Sequence, residues 1–297
     1  MFILHHYPES PYAEKTRVML GYTGLAWQSV DVPPQPPRPS LDPLLGGYRR
    51  IPVLQDGADI YCDTRLIGAQ IAARSNHPTL AYENADSDAQ AFIDSAEGDV
   101  FFASILAAPK GKMLVNMLRK RGLGIIKFMV DRAGAAGDGI GDVTPKNAKQ
   151  IWTQHLGQLE ARLGDKQFLG GLTPDSQDFA AYHTVWINSI LAGGKIGAAD
   201  SALVHWRDRM TAFGHGAPAP LGVDEALSIA AAHDPAPIAP EHTSSGDEVA
   251  IAPDDYMRDA TMGRLVGETD VKWIIARDTD AHGLIHVHFP KAGYVIA

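Results

Sequence analysis

The chain reads as an α/β unit followed by an all-helical region and a small β-rich extension. Three observations predict this: short apolar strands alternating with helices through residue 76, apolar positions three and four apart from residue 86 to about 213, and brief β-prone runs after residue 246. The corresponding boundaries are 1–76 for the α/β domain, 86–235 for the helical domain and 246–297 for the extension.

In the first domain the apolar run FILHHY ends in a Ser-Pro step with helix formers beyond it. This predicts a strand over 2–7 feeding a helix over 11–23, with Ser10 as N-cap and Pro11 in the first helical position. Further strands are expected at 27–32, 51–55 and 58–62, and a helix at 64–75. Between the second and third strands lies DVPPQPPRPSLDPLLGGYRR, whose prolines favour extended chain and leave room for a turn of helix near 40–45.

After the linker SNHPTLAYENADS, helices are predicted over 86–108, 112–133, 145–163, 176–192 and 199–213. The glycine-rich AGAAGDGIGD interrupts the series before Thr144-Pro145, another cap-plus-proline start. Asp175 and Asp178 stand three apart at the head of SQDFAAYHTVWI, a capping-box spacing that reads as structural. Residues 214–248 read as a connector around one short helix, VDEALSIAAAH. The runs VAIAP, GRLVG, VKWIIAR, LIHVHF and YVIA then predict a small sheet or barrel that must close or pack on the rest to be stable.

Composition narrows the function. Lysine plus arginine number 26 against 35 acidic residues, a formal charge of −9, which disfavours nucleic acid and anionic membranes as partners. The opening MFILHHYPES has no charged leader and no apolar run is long enough to span a bilayer, so the cytoplasm is the expected location. One cysteine, Cys62, excludes an intramolecular disulfide and reads as a small buried residue. The twelve histidines form no metal signature; His286 and His288 alternate on one strand face near His282, which reads as a packed or exposed face, and no metal is expected.

The Ser10-Pro11 helix start, IPVLQDG at 51–57 and CDTRLI at 62–67 occur in an order and spacing that resemble the glutathione-binding half of a glutathione transferase. The resemblance covers residues 1–76 by motif and continues to about 213 by pattern, leaving the β-prone extension outside the family plan. It implies a thioredoxin-like N-terminal domain, a helical C-terminal domain and a tripeptide site between strand ends and helix starts of the former.

The resemblance also implies roles. Ser10 falls where serine-type members hydrogen-bond the glutathione sulfur, although in isolation it reads as a helix cap. Tyr7 is the alternative donor, since another branch uses a tyrosine of the first strand; counting back from Arg17, that position falls on His6, so His5, His6 and Tyr7 are expected as strand side chains at the cleft edge. Pro52 is expected after a cis bond, turning the main chain of Ile51 towards the cysteinyl part of the peptide; the alternative is a trans proline opening an edge strand. Asp63 and Thr64 would hold the γ-glutamyl end, the acid pairing with the ammonium and the hydroxyl and helix start meeting the carboxylate, unless they merely cap the helix. One of Arg49 and Arg50 is expected towards the glycyl carboxylate and the other in solvent. The proline-rich stretch replaces the usual second helix, so assignments there depend on whether it still permits normal glutathione binding. Tyr12, Phe101 and Phe102, with Trp152, Tyr182 and Trp186, are candidates for an apolar acceptor pocket or for core.

The expected function is therefore a cytosolic, homodimeric glutathione transferase acting on a small electrophile in detoxification, with glutathione as co-substrate. The alternatives are a glutathione-dependent isomerase or peroxidase using the same site, and a non-catalytic protein of this fold that binds a ligand or partner.

Overall fold

The computed structural model describes residues 1–109, 142–193, 196–279 and 281–297. The helix expected over 112–133 and most of the glycine-rich break lie outside the described residues. Two compact units are present: residues 1–16, 24–70 and 216–297 form one, and 17–23 with 71–215 form the other.

The first unit is built on a ten-stranded sheet in the order β10-β6-β7-β8-β9-β4-β3-β1-β2-β5. Strand β1 (Phe2–His6) pairs in parallel with β2 (Trp27–Asp31) and antiparallel with β3 (Val53–Asp56), which pairs antiparallel with β4 (Asp59–Cys62). Helix α1 (Pro11–Thr23) follows β1, a short α2 (Asp42–Leu45) follows the proline-rich run, and α3 (Thr64–Ser75) follows β4. This is the thioredoxin-like arrangement the resemblance implies.

A four-stranded sheet leaves β4 with an unpaired row of main-chain donors and acceptors, and such an edge must be paired, covered or charged. Here it is paired. Strand β9 (Gly283–Pro290) lies parallel to β4, matching Asp59 with His286 and Tyr61 with His288. From β9 the extension runs as an antiparallel set through β8 (Lys272–Thr279), β7 (Thr261–Glu268), β6 (Glu248–Pro253) and β10 (Tyr294–Ile296). A bulge between Leu265 and Gly267 bends β7. On the opposite edge β2 receives only the two-residue β5 (Ala219–Pro220).

The extension is not a separate module, because its apolar residues share a core with the first domain. Ile3, Val53, Ile60 and Cys62 join Leu44 and Leu45 of α2 and Ile275, Val287, Phe289 and Tyr294 in one buried cluster. The helix read within the connector, α9 (Val223–Ala231), contributes Ala226, Leu227 and Ala230 to the same cluster, so residues 216–235 lie with the sheet, whereas the composition-based boundary groups them with the helices.

The proline-rich run is organised by a residue that sequence reasoning passed over. Arg38 is 1% exposed and its guanidinium donates to the carbonyls of Pro33, Pro34 and Arg49, while its own N–H donates to Asp42 at 2.7 Å. Prolines have no N–H to pair their neighbours' carbonyls through a ladder, so a fork of guanidinium donors supplies the missing partners.

In the second unit the helix expected over 86–108 is two. Helix α4 (Ser87–Glu97) stops at Gly98, whose φ of −98° and ψ of −113° are not helical, and α5 (Asp99–Leu106) starts immediately after it. Helices α6 (Ala148–Leu163), α7 (Ser176–Ala192) and α8 (Ala202–Ala212) follow. The capping box at α7 is present in both halves, and Asp178 also accepts from the N–H groups of Leu169 and Gly170 and from Trp206 Nε1 at 2.7 Å. A carboxylate with that many donors ties the preceding loop and α8 to the start of α7, the structural role read from the spacing. Trp152 and Tyr182 are buried here as core.

Candidate functional site

Every polar residue singled out in the first 76 positions lies in the first unit. Ser10 caps α1: its Oγ accepts from the Ala13 N–H at 3.2 Å, and its own N–H donates to the Tyr7 carbonyl. Because the main-chain amide occupies an acceptor lobe of Oγ, the hydroxyl proton remains the group with which Ser10 can donate. Ser10 is 2% exposed and stands at the positive end of a 13-residue helix.

Tyr7 belongs to the core cluster with Ile3 and Val53. The two histidines before it are not at a cleft edge, as the sequence suggested, but inside the sheet. His5 bonds Ser40 and Gln55, His6 bonds Ser29 at 2.8 Å, and burial, partly opposed by the Gln55 bond, pushes His5 down to about 4. Alternation alone could not separate a cleft-facing polar residue from one satisfied within the sheet.

The Ile51–Pro52 peptide bond is cis. Ile51 is half-buried, and its N–H and C=O take no hydrogen-bond partner among the described residues. Asp63 adopts a left-handed conformation, φ 75°, between β4 and α3. One of its carboxylate oxygens accepts from the Arg65 N–H at 2.9 Å, capping α3, and the other accepts from the Tyr294 hydroxyl at 3.2 Å. Thr64 is buried and its hydroxyl accepts from the Lys15 ammonium at 3.3 Å. Lys15 escaped the sequence reading; its place one turn into α1, in SPYAEKTR, is the signal that could have marked it.

Arg49 and Arg50 both face the extension, and neither is the solvated residue of the pair. Arg49 lies 3.8 Å from Asp259. Arg50 donates from Nε to the Tyr256 carbonyl at 3.0 Å, pairs with Asp255 and lies over the Tyr294 ring, 5.7 Å from its centroid. The basic residues before Pro52 thus anchor the C-terminal strands, a use invisible in a local motif because the partners are more than two hundred residues away. Tyr12 lies on α1 in the first unit, whereas Phe101 and Phe102 lie on α5 in the second, edge to face with each other, Phe101 also stacking on His183. Cys62 is fully buried, and burial raises its thiol well above the ordinary range, which leaves it unreactive. Among the described residues no group of His, Cys, Asp or Glu could hold a metal ion, and no helix is long and apolar enough to cross a membrane.

The family model for the glutathione S-transferase N-terminal domain matches residues 4–79. A GST-like protein from Pseudomonas syringae is 31% identical over 100% of both chains, with a TM-score of 0.76. The chain belongs to the glutathione transferase superfamily. Since the match to the Pseudomonas protein is end to end, it includes the β-rich extension. Other solved members are similar over the shared part: a glutathione S-transferase from Xylella fastidiosa, 17% identical over 76% of this chain and 97% of that one (TM-score 0.49), and one from Methylobacterium radiotolerans in complex with glutathione sulfonate, 20% identical over 73% and 95% (TM-score 0.47). No curated protein matches the chain.

Proposed function

We propose that this member of the superfamily is a glutathione-dependent transferase of the serine type. The observation that carries the proposal is the state of Ser10, whose oxygen already accepts from a main-chain amide and whose proton is left to donate at the start of α1. A hydroxyl donor at the positive end of a helix stabilises a thiolate over a thiol, lowering the sulfur's pKa and supplying the nucleophile at neutral pH. The Ile51 main chain offers a donor and an acceptor to the cysteinyl residue, in the manner of an added strand. Asp63 would take the γ-glutamyl ammonium, and Thr64 with Lys15 the adjacent carboxylate. The thiolate sulfur then attacks an electrophilic carbon of a small apolar substrate, forming a carbon–sulfur bond as the leaving group departs. A soluble homodimer in the cytoplasm is the setting that family membership favours.

The test is conjugation of a chlorinated nitrobenzene by the wild type and by Ser10→Ala. The reading requires a fall in kcat of about 10²-fold or more, within the range that one positioned proton donor supplies, with glutathione affinity little changed. Unchanged conjugation would remove Ser10 from the mechanism. Release of glutathione after isomerisation, or oxidation to its disulfide with a hydroperoxide, would assign the same site to the other reactions.

A second reading, a non-catalytic protein of this fold, is favoured by the engagement of Arg49, Arg50 and Asp63 with the extension. It predicts that millimolar glutathione leaves the melting temperature unchanged, because a ligand specific for the native state must raise it.

A further inference from the structure

We infer that Tyr294 is a positioning residue for Asp63, so that the C-terminal extension forms part of the glutathione site rather than an appendage to it. This rests on the glutathione reading above and adds a residue that the shared N-terminal motifs do not contain.

The hydrogen bonds run in one direction. A carboxylate can only accept, so the bond between Tyr294 and Asp63 is donated by the tyrosine hydroxyl. That proton is therefore committed, and in the 3.0 Å contact between Tyr294 and Tyr48 the proton must come from Tyr48. The result is a relay of donors, Tyr48 to Tyr294 to Asp63, that begins beside α2 and ends at the head of α3. Burial, reinforced for Tyr294 by the neighbouring Tyr48 and Asp63, raises both phenols well above their ordinary range, which keeps both protons in place at any pH the protein meets.

The ring that delivers the hydroxyl is fixed on several sides. Tyr294 is 5% exposed, packs against Phe289 at 5.8 Å, and carries the Arg50 guanidinium over its face. Arg50 is in turn held by Asp255 and the Tyr256 carbonyl, so the loop between β6 and β7 braces the strand that bears Tyr294. On the other side of Asp63, its first oxygen is fixed by the Arg65 amide. Each carboxylate oxygen has two acceptor directions, so a single protein donor on each leaves a second direction on each for an incoming ammonium. Asp63 itself stands in a left-handed turn at the end of a strand, a conformation that Asp adopts more readily than most residues. Tyr294 supplies the restraint that fixes its orientation before ligand arrives, and preorganisation is gained as affinity.

A selective loss of affinity separates positioning from bulk stability. Full-length wild type, Tyr294→Phe and Tyr48→Phe are titrated calorimetrically with glutathione and with its analogue lacking the α-amino group, glutaryl-cysteinyl-glycine. The inference predicts that Tyr294→Phe weakens glutathione by about three- to tenfold, the size of one ordinary net hydrogen bond, and leaves the des-amino analogue unchanged. Tyr48→Phe, which keeps the direct bond and removes the donor behind it, should show the same selectivity with a smaller loss, and it carries the test alone if Tyr294→Phe does not fold. Equal weakening of both ligands, or no weakening of either, would overturn the positioning role while leaving the glutathione reading intact. Failure of wild type to bind either ligand would overturn both.

Discussion

His288 donates its Nε2–H to Asp59 at 2.7 Å, across the parallel junction where the extension joins the edge of the first four strands. Its other ring nitrogen faces the Lys272 ammonium at 3.4 Å, and its ring stacks on Tyr61 with centroids 4.3 Å apart. The second oxygen of Asp59 accepts from the Ala236 N–H, so a single carboxylate connects strand, extension and connector. Removing the imidazole would leave a buried carboxylate short of a donor, and this costs more than the bond itself contributes. His288→Ala is expected to lose about 2–3 kcal/mol of stability, measured by urea unfolding, with Asp59→Asn losing less because the amide oxygen can still accept.

Acid should weaken the protein as pH falls below the ordinary histidine value. Burial pushes His5, His155 and His288 down to about 4, His288 and His5 despite opposing hydrogen bonds to Asp59 and Gln55. A histidine depressed in the folded state contributes stability that is fully present above its unfolded value of 6.5 and is lost as pH falls through about 4. Asp178 acts in the opposite sense, since burial raises it to about 6 and its contribution is lost as pH rises. Burial lowers His286 as well and, with Glu9 nearby, raises Asp31, so four histidines stand against two carboxyl groups and the unfolding midpoint should fall as pH is lowered from about 6.5 to 4; a flat or rising profile would contradict the assignment of buried neutral histidines.

Arg38→Met would strand the carbonyls of Pro33, Pro34 and Arg49 in a buried loop. The expected cost is about 2–4 kcal/mol, and Arg38→Lys should not restore it, because an ammonium cannot reproduce the planar fork that meets those acceptors together. Thermal unfolding of the two variants distinguishes this from a simple need for positive charge.

Gly47 marks how closely the segment after α2 meets the extension. A Cβ there would stand 2.4 Å from the Ala260 carbonyl oxygen, and Thr261 already donates to the Leu45 carbonyl at 2.8 Å beside it. Gly47→Ala should destabilise by about 1–3 kcal/mol through forced separation of main chains, whereas Gly24→Ala, with nothing within 4 Å but a φ of +67°, should cost only the strain of that conformation.

The pattern of these contacts explains what could be read from the sequence. Ser10 at a helix start, the bond after Ile51 and the Asp63-Thr64 junction are local features, carried by adjacent residue types, and each is where the motifs put it. The division of 86–108 at Gly98 was written in one residue and overridden by helical periodicity on both sides. What was not legible is long-range: that β9 would pair with β4, that Asp59 would meet His288, and that Arg49 and Arg50 would meet Asp259 and Asp255. Strand pairing between distant segments depends on which edge is left open, and period-two alternation gives no partner. Lys15 and Arg38 were missed for a related reason, since a buried cation is recognised only by its acceptors.

The most direct measurement is the ultraviolet titration of the thiol of glutathione bound to wild-type protein. The account predicts that bound glutathione ionises below its value in water and that Ser10→Ala returns it most of the way, with Tyr7→Phe having no such effect. A bound thiol that titrates as it does free in solution, or one whose shift survives Ser10→Ala, would contradict the claim that this hydroxyl generates the nucleophile.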